Sequence, residues 1–212
     1  MARGRLIVIE GLDRSGKSTQ CAHLLSALQQ EGTSSSSTTA ELYKFPDRTT
    51  AIGTMIDGYL RSTTTLDDRA IHLLFSANRW ERADTILASL AAGRHVLCDR
   101  YLYSGIAYSL TKPGLEPGWC RAGDVGLPLP DAIFFLDVPE DVARRRGGFG
   151  QERYERVETQ RAVRAQFLQL FHADETVTFV DAAHDVQHVR RKIWEKVQDL
   201  LATEPGPLGQ FS

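Results

Sequence analysis

The sequence predicts an α/β fold: a parallel sheet of five strands, flanked by helices and carrying a small lid. Short apolar runs alternate with helical patterns nearly to the end of the chain, as a parallel sheet with covering helices requires. Between the first such run and the first helical pattern lies Gly11-Leu12-Asp13-Arg14-Ser15-Gly16-Lys17-Ser18. It matches the phosphate-binding pattern G-x-x-x-x-G-K-[ST] at every fixed position. No linker or internal repeat divides the 212 residues, so residues 1–212 are expected to form one domain.

The first strand is the apolar run Arg5-Leu6-Ile7-Val8-Ile9, which suits burial on both faces. The glycines of the next loop let backbone N–H groups converge on an anion, and the following helix points its positive end at the same place. Ala22, Leu24, Leu25, Ala27 and Leu28 form that helix's apolar stripe, and Gly32 stops it. Thr33 to Thr39 is a serine–threonine run, read as a flexible connector ahead of a phosphorylated or binding element. Ala40 to Phe45 is the second strand, and it delivers Phe45-Pro46-Asp47-Arg48 to the ligand edge of the sheet. Ile52, Met55, Ile56, Tyr59 and Leu60 make a short amphipathic helix. A polar break follows, with Asp67 or Asp68 as the cap of the next helix.

That helix runs from Asp68 to about Ala92, and its inner face carries Ile71, Leu74 and Phe75, then Asn78 and Arg79, with Arg82 beyond. An arginine continuing an apolar stripe is either paired inside the protein or facing a cavity. Phe75 alone reads as core; with Arg79 four residues on, the pair can address one ligand. His95 to Asp99 is the third strand. Asp99 at its carboxyl end either serves a Mg²⁺ shell or caps the helix bearing Ser104, Gly105 and Tyr108. A short helix at Trp119 to Gly123 and a fourth strand at Asp131 to Asp137 follow. Arg144-Arg145-Arg146 then runs into a glycine-rich stretch. Residues 144–155 are therefore either a lid that closes over phosphates or a solvated charge run. Val157, Ala162, Phe167, Leu168, Leu170 and Phe171 mark the next helix, and Thr176 to Asp181 the fifth strand. Val186, Val189, Ile193, Val197, Leu200 and Leu201 mark the last helix, with a loose tail at 204–212.

Composition removes several function classes. A net charge of −2 gives no support to a nucleic-acid partner, and no apolar run is long enough for a membrane span. Cys21, Cys98 and Cys120 are odd in number and scattered, which suits a reducing compartment, the cytoplasm with the nucleus left open. No spacing suggests a zinc site. Switch GTPases share the glycine loop, but the N-K-x-D guanine motif is missing here.

Several stretches together are distinctive: Gly11 to Gln20, Phe45-Pro46-Asp47-Arg48, His72 to Glu81, Asp99-Arg100-Tyr101, Pro128-Leu129-Pro130-Asp131 and Gly150 to Glu155. In this order they resemble the thymidylate kinase family, in its eukaryotic form, over nearly the whole chain. The resemblance implies the P-loop NTPase fold, transfer of the γ-phosphoryl group of ATP to dTMP with Mg²⁺, and a homodimer. It implies that Gly11, Asp13, Arg14, Ser15, Gly16, Lys17, Ser18, Thr19 and Arg146 serve ATP, with Ser18 and Asp99 toward the metal. Arg14, Lys17, Asp99 and Arg100 are the implied catalytic set. Asp13 would hold the deoxyribose hydroxyl, and Arg48 and Arg100 the acceptor phosphate. Phe75 would stack on thymine, Arg79 would bond its carbonyl edge, and Tyr154 would lie near the sugar. Phe45, Ser104, Gly105 and Tyr108 complete the implied acceptor site. Both Arg14 and the lid arginines are candidates for stabilising the transferred group. His184 and Asp185 fall where an adenine-contacting loop is expected, and the run at Ser34 to Thr39 lies outside the family pattern. Two other readings stay open: a kinase for another nucleotide or a deoxynucleoside, and a nucleotide-binding regulator without turnover.

Overall fold

The computed structural model describes residues 2–31, 39–146 and 152–212. The predicted helix stop at Gly32, the run Thr33 to Thr38, and Gly147 to Gln151 of the expected lid lie outside the described residues. Five strands form one all-parallel sheet: β1 (Leu6–Gly11), β2 (Ala40–Lys44), β3 (His95–Asp99), β4 (Ala132–Asp137) and β5 (Val177–Asp181), in the order β2-β3-β1-β4-β5. Chain direction across the sheet reverses at β1, so the crevice opens beyond the carboxyl ends of β1, β3 and β4. Register brings the site to that edge: Ile9 pairs with Asp99, and Gly11 with Leu136.

The central strand is buried on both sides because its side chains alternate between two cores. Leu6 and Val8 join Phe135, Val163 and Phe167 on one face; Ile7 and Ile9 join Leu97, Phe134 and Leu136 on the other. The first core is covered by α3 (Asp68–Ala91), α4 (Leu102–Ser109), α5 (Pro117–Ala122) and α7 (Val157–Leu170). Helices α1 (Lys17–Glu31) and α8 (Val186–Leu201) cover the second, while α6 (Glu140–Arg145) follows β4. A third cluster joins α2 (Ala51–Leu60) to α3 through Ile56, Tyr59, Leu60 and Ile71 and forms one wall of the crevice. Of the two cap candidates Asp67 is used, accepting from Arg69 and Ala70 N–H at 2.8 and 3.4 Å.

Several expected core positions shift by one residue. Ala22 is exposed and Cys21 takes its place on the α1 stripe; Ala162 is exposed and Val163 is buried instead. In both helices the buried set repeats at three and four residues from a neighbouring start, a phase that small apolar residues do not mark. Met55 and Val186 are about half exposed. The tail is the larger correction. Residues 209–211 are held, not loose: Gly126 N–H donates to Phe211 O at 2.8 Å, Phe211 N–H to Leu127 O at 2.9 Å, and Leu129 N–H to Gly209 O at 2.9 Å. Phe211 is buried against Tyr103, with the Arg121 guanidinium over its ring.

At the opposite edge Asp131 accepts from Arg3 at 2.6 and 2.8 Å, from Arg5 at 3.4 Å and from Leu6 N–H at 2.8 Å. Burial pushes its carboxyl up, but the Arg3 and Leu6 hydrogen bonds and the two arginine charges outweigh that and hold it low. A lowered folded value adds stability that is present above the unfolded carboxylate range and lost as pH falls through the folded value. Asp131→Asn is therefore expected to cost about 2 kcal/mol at pH 7. Thermal melts at pH 7 and at a pH below the unfolded carboxylate range should show that gap narrowing. An equal gap at both pH values would mean that the charge is not what Asp131 contributes.

Candidate active site

The phosphate loop leaves β1 at Gly11, whose φ of +148° and close neighbours exclude a side chain: a Cβ there would lie 2.7 Å from Ser15 Oγ and 2.8 Å from Leu136 O. Arg14 and Gly16 also have positive φ, at 65° and 98°, which bends the loop into a cradle ending at the first turn of α1. Lys17 crosses the cradle, its ammonium donating to Leu12 O at 2.5 Å. Burial and the Arg100 charge bring that ammonium's pKa down to about 8. Ser18 Oγ donates to Asp99 Oδ2 at 2.6 Å, joining the loop to the end of β3. Thr19 is exposed on the same first turn. Asp99 does not cap α4. Glu10, wholly buried in β1, does so by accepting from Tyr101 N–H, Ser104 N–H and Ser104 Oγ at 2.9, 3.1 and 2.5 Å. Burial pushes the Glu10 carboxyl up against those hydrogen bonds and the Arg100 charge.

Beside the loop opens a cleft with about 730 Å³ of empty space, its mouth included. All the acceptor-site residues expected from sequence line it: Asp13, Phe45, Arg48, Phe75, Arg79, Arg100, Ser104, Gly105, Tyr108 and Tyr154. Phe75 is half-buried, packing on the α2–α3 cluster while it faces the cleft. Arg100 stands at the junction with the loop. Its backbone has φ 67°, and its guanidinium donates to Gly11 O at 2.8 Å, Ser104 Oγ at 3.0 Å and Asp13 Oδ1 at 2.5 Å. Asp13 Oδ2 accepts in turn from Tyr108 at 3.1 Å and Gln160 at 2.8 Å. Burial would raise the Asp13 carboxyl, but the Arg100 and Lys17 charges hold it below the usual range.

The expected arginines divide among separate partners. Arg48 pairs with Asp57 at 2.5 Å and Glu152 at 2.8 Å. Arg14 pairs with Glu155 at 3.2 Å. Arg146 reaches the phosphate loop, donating to Arg14 O at 3.0 Å and Ala182 O at 2.5 Å. Arg144 and Arg145 turn away to Glu140 and Asp141 on their own helix, so the run is not one cationic cover. Asp185 caps α8, accepting from Gln187 and His188 N–H at 2.9 and 3.0 Å, and His184 stacks on His188 with ring centroids 4.4 Å apart. Arg79 is both paired and cleft-facing: Asp124 receives its Nε at 3.0 Å and a terminal nitrogen at 2.7 Å.

Sequence reasoning missed Glu10, Lys112, Asp124 and Gln160. Lys112 lines the cleft, pairs with Asp68 at 2.8 Å and donates to Tyr59 Oη at 3.2 Å. Gln160 is buried and also donates to Tyr154 O at 2.9 Å. A signal existed for two of them: Glu10 interrupts an apolar strand, and Gln160 stands on the stripe of Val163 and Phe167. Among the described residues no cluster of three His, Cys, Asp or Glu could hold a metal, and no helix is long and apolar enough to cross a membrane.

Residues 9–193 match the family model described as thymidylate kinase. The chain is 48% identical to a thymidylate kinase of Arabidopsis thaliana, covering 97% of this chain and 76% of that one. It is 42% identical to the thymidylate kinase of Homo sapiens over 99% of this chain and 97% of that one. A solved thymidylate kinase structure from Candida albicans, described as having broad substrate specificity and a novel structural element, superposes with a TM-score of 0.90. It is 37% identical and covers all of both chains. The fold is thus that of the P-loop NTPases.

Proposed function

The chain belongs to the thymidylate kinase family, and from that premise we propose how its residues carry the reaction. It transfers the γ-phosphoryl group of ATP to dTMP, giving ADP and dTDP, in dTTP synthesis. The observation that carries the residue assignment is the meeting of phosphate loop and acceptor cleft at Arg100 and Asp13.

Lys17, the loop N–H groups and the first turn of α1 hold the triphosphate. Arg48 and Arg100 orient the acceptor phosphate in line with it. Phe75 packs on the pyrimidine, Arg79 donates to its carbonyl edge, and Asp13 with Tyr108 receives the sugar. An anionic phosphate oxygen attacks Pγ as the bond to the ADP oxygen breaks, so no general base is needed. Alignment and charge neutralisation supply the rate. Arg14 neutralises the transferred group, Arg146 packs on the donor side, and residues 144–155 act as the lid. Ser18 and Asp99 suit Mg²⁺, a hard cation bound through few protein oxygens plus phosphate, and they would hold it. When bound, it adds neutralising charge on the donor phosphates.

ADP release with dTMP, dUMP, UMP, dCMP, AMP and thymidine tests this assignment. dTMP should be preferred, and dUMP poorer, because a missing methyl costs about 1–3 kcal/mol. Arg48→Ala should raise the dTMP KM by on the order of tenfold or more. Preference for another monophosphate would overturn the base-recognition argument, and turnover of thymidine but not dTMP the acceptor assignment.

The chain acts as a homodimer in the cytoplasm. Leu73, Trp80 and Leu87 recur every seven residues along α3 and are exposed, as are Val125 and Trp119, the latter's ring 5.1 Å from that of His72 on the same helix. Such a stripe suits self-association. Light scattering should give twice the chain mass, and Leu73→Glu/Leu87→Glu should give one. A monomeric parent would reject the dimer.

A further inference from the structure

Asp124 does not itself line the cleft, yet it is completely buried and fully engaged. It lies between α5 and β4, accepts Arg79 through both oxygens at 3.0 and 2.7 Å, and accepts Ser76 Oγ at 2.8 Å. Gly105 closes the other side: a Cβ there would lie 2.8 and 2.9 Å from the two terminal nitrogens of Arg79. The guanidinium is thus fixed in position and direction at the cleft wall, and its Nη1 makes no hydrogen bond among the described residues. A buried ion pair is a weak source of stability, since its desolvation offsets its attraction. Its value lies in holding a donor array still before a ligand arrives.

The loop that bears Asp124 is itself strapped. Gly126 and Leu127 exchange backbone hydrogen bonds with Phe211, Leu129 bonds to Gly209, and Phe211 is buried beneath Tyr103 and Arg121. We propose that Asp124 is a positioning residue for base recognition, presenting Arg79 to the 4-carbonyl of the pyrimidine. The strap Gly209–Phe211 fixes the loop from which Asp124 acts. This rests on the reading of Arg79 as the base-contacting arginine. A guanidinium only donates hydrogen bonds, so holding it in place favours a carbonyl-bearing base over cytosine, which offers an amino group there.

The test is steady-state kinetics of Arg79→Ala, Asp124→Asn, their double variant and Phe211→Ala with dTMP and dCMP. Asp124→Asn should raise the dTMP KM about tenfold and narrow the preference over dCMP, with kcat at saturating dTMP and the ATP KM within about threefold. In the Arg79→Ala background the same substitution should add less than about twofold, because its partner is gone. Phe211→Ala should raise the dTMP KM about threefold and narrow the same preference. Multiplying penalties in the double variant would overturn the proposal, as would a folded Asp124→Asn protein with parental KM and preference. If Asp124→Asn does not fold, Phe211→Ala decides: a folded protein with parental KM and preference overturns it. An unchanged dTMP KM in Arg79→Ala would overturn the base-contact reading itself, an outcome separable from the others.

Discussion

Arg100→Ala is expected to lower kcat/KM for dTMP by about a thousandfold, or about 4 kcal/mol of transition-state stabilisation. Arg100 bonds at once the phosphate loop at Gly11, the cleft wall at Ser104 and the carboxylate of Asp13. Its loss removes positive charge where the transferring group passes, and leaves Asp13 without its strongest stabilising neighbour. The second effect has a signature of its own. Burial already works to raise the Asp13 carboxyl; with Arg100 gone that pull is opposed only by the Lys17 charge and the Tyr108 and Gln160 hydrogen bonds. The carboxyl then protonates at higher pH, and the acid limb of the kcat/KM profile moves upward. Steady-state rates across pH 5 to 9 measure both. A loss under about tenfold with an unmoved acid limb would remove Arg100 from the transfer step.

Lys17→Met should reduce kcat by about a hundred- to a thousandfold while leaving the dTMP KM within about threefold. The ammonium is buried in the cradle and at present donates to a backbone carbonyl and, at 3.5 Å, to Ser15 Oγ. Phosphate oxygens are stronger acceptors for a cation than either of these, so the triphosphate takes over the bond. Methionine keeps the stem and its packing but brings no charge. Single-turnover measurement with dTMP saturating separates the chemical step from release of product. A large rise in dTMP KM with kcat intact would mean that Lys17 serves the acceptor and not the donor.

The parallel sheet, its five strands and the glycine loop were legible because each announces itself locally. Strands buried on both faces are continuous apolar runs, and the glycine loop has fixed spacing. Arg79 stood out because it continued the stripe of Ile71 and Phe75. What was not legible is buried polarity with a distant partner. Asp124 meets Arg79 across 45 residues, Glu10 meets Ser104 across 94, and Gln160 meets Asp13 across 147. A carboxylate or amide in a window of sequence reads as solvent-exposed, because nothing nearby tells that a cation or an N–H will arrive. The tail failed for the same reason. Its proline and glycine residues give no periodicity, and its order comes from a bridge between Gln210 and Pro128.

The arginines of cleft and phosphate loop arrive already occupied: Arg48 on Asp57 and Glu152, Arg100 on Asp13, Arg14 on Glu155. Binding at this site is therefore ion exchange rather than the filling of an attractive hole. With a chain net charge of −2, there is little field to draw anions from a distance. A bare phosphate or sulfate must displace carboxylates with nothing else to offer, whereas a nucleotide brings base and sugar contacts to the same event. The internal carboxylates act as a sieve: they discount every anion equally, and only a ligand that fits the whole cleft recovers the difference.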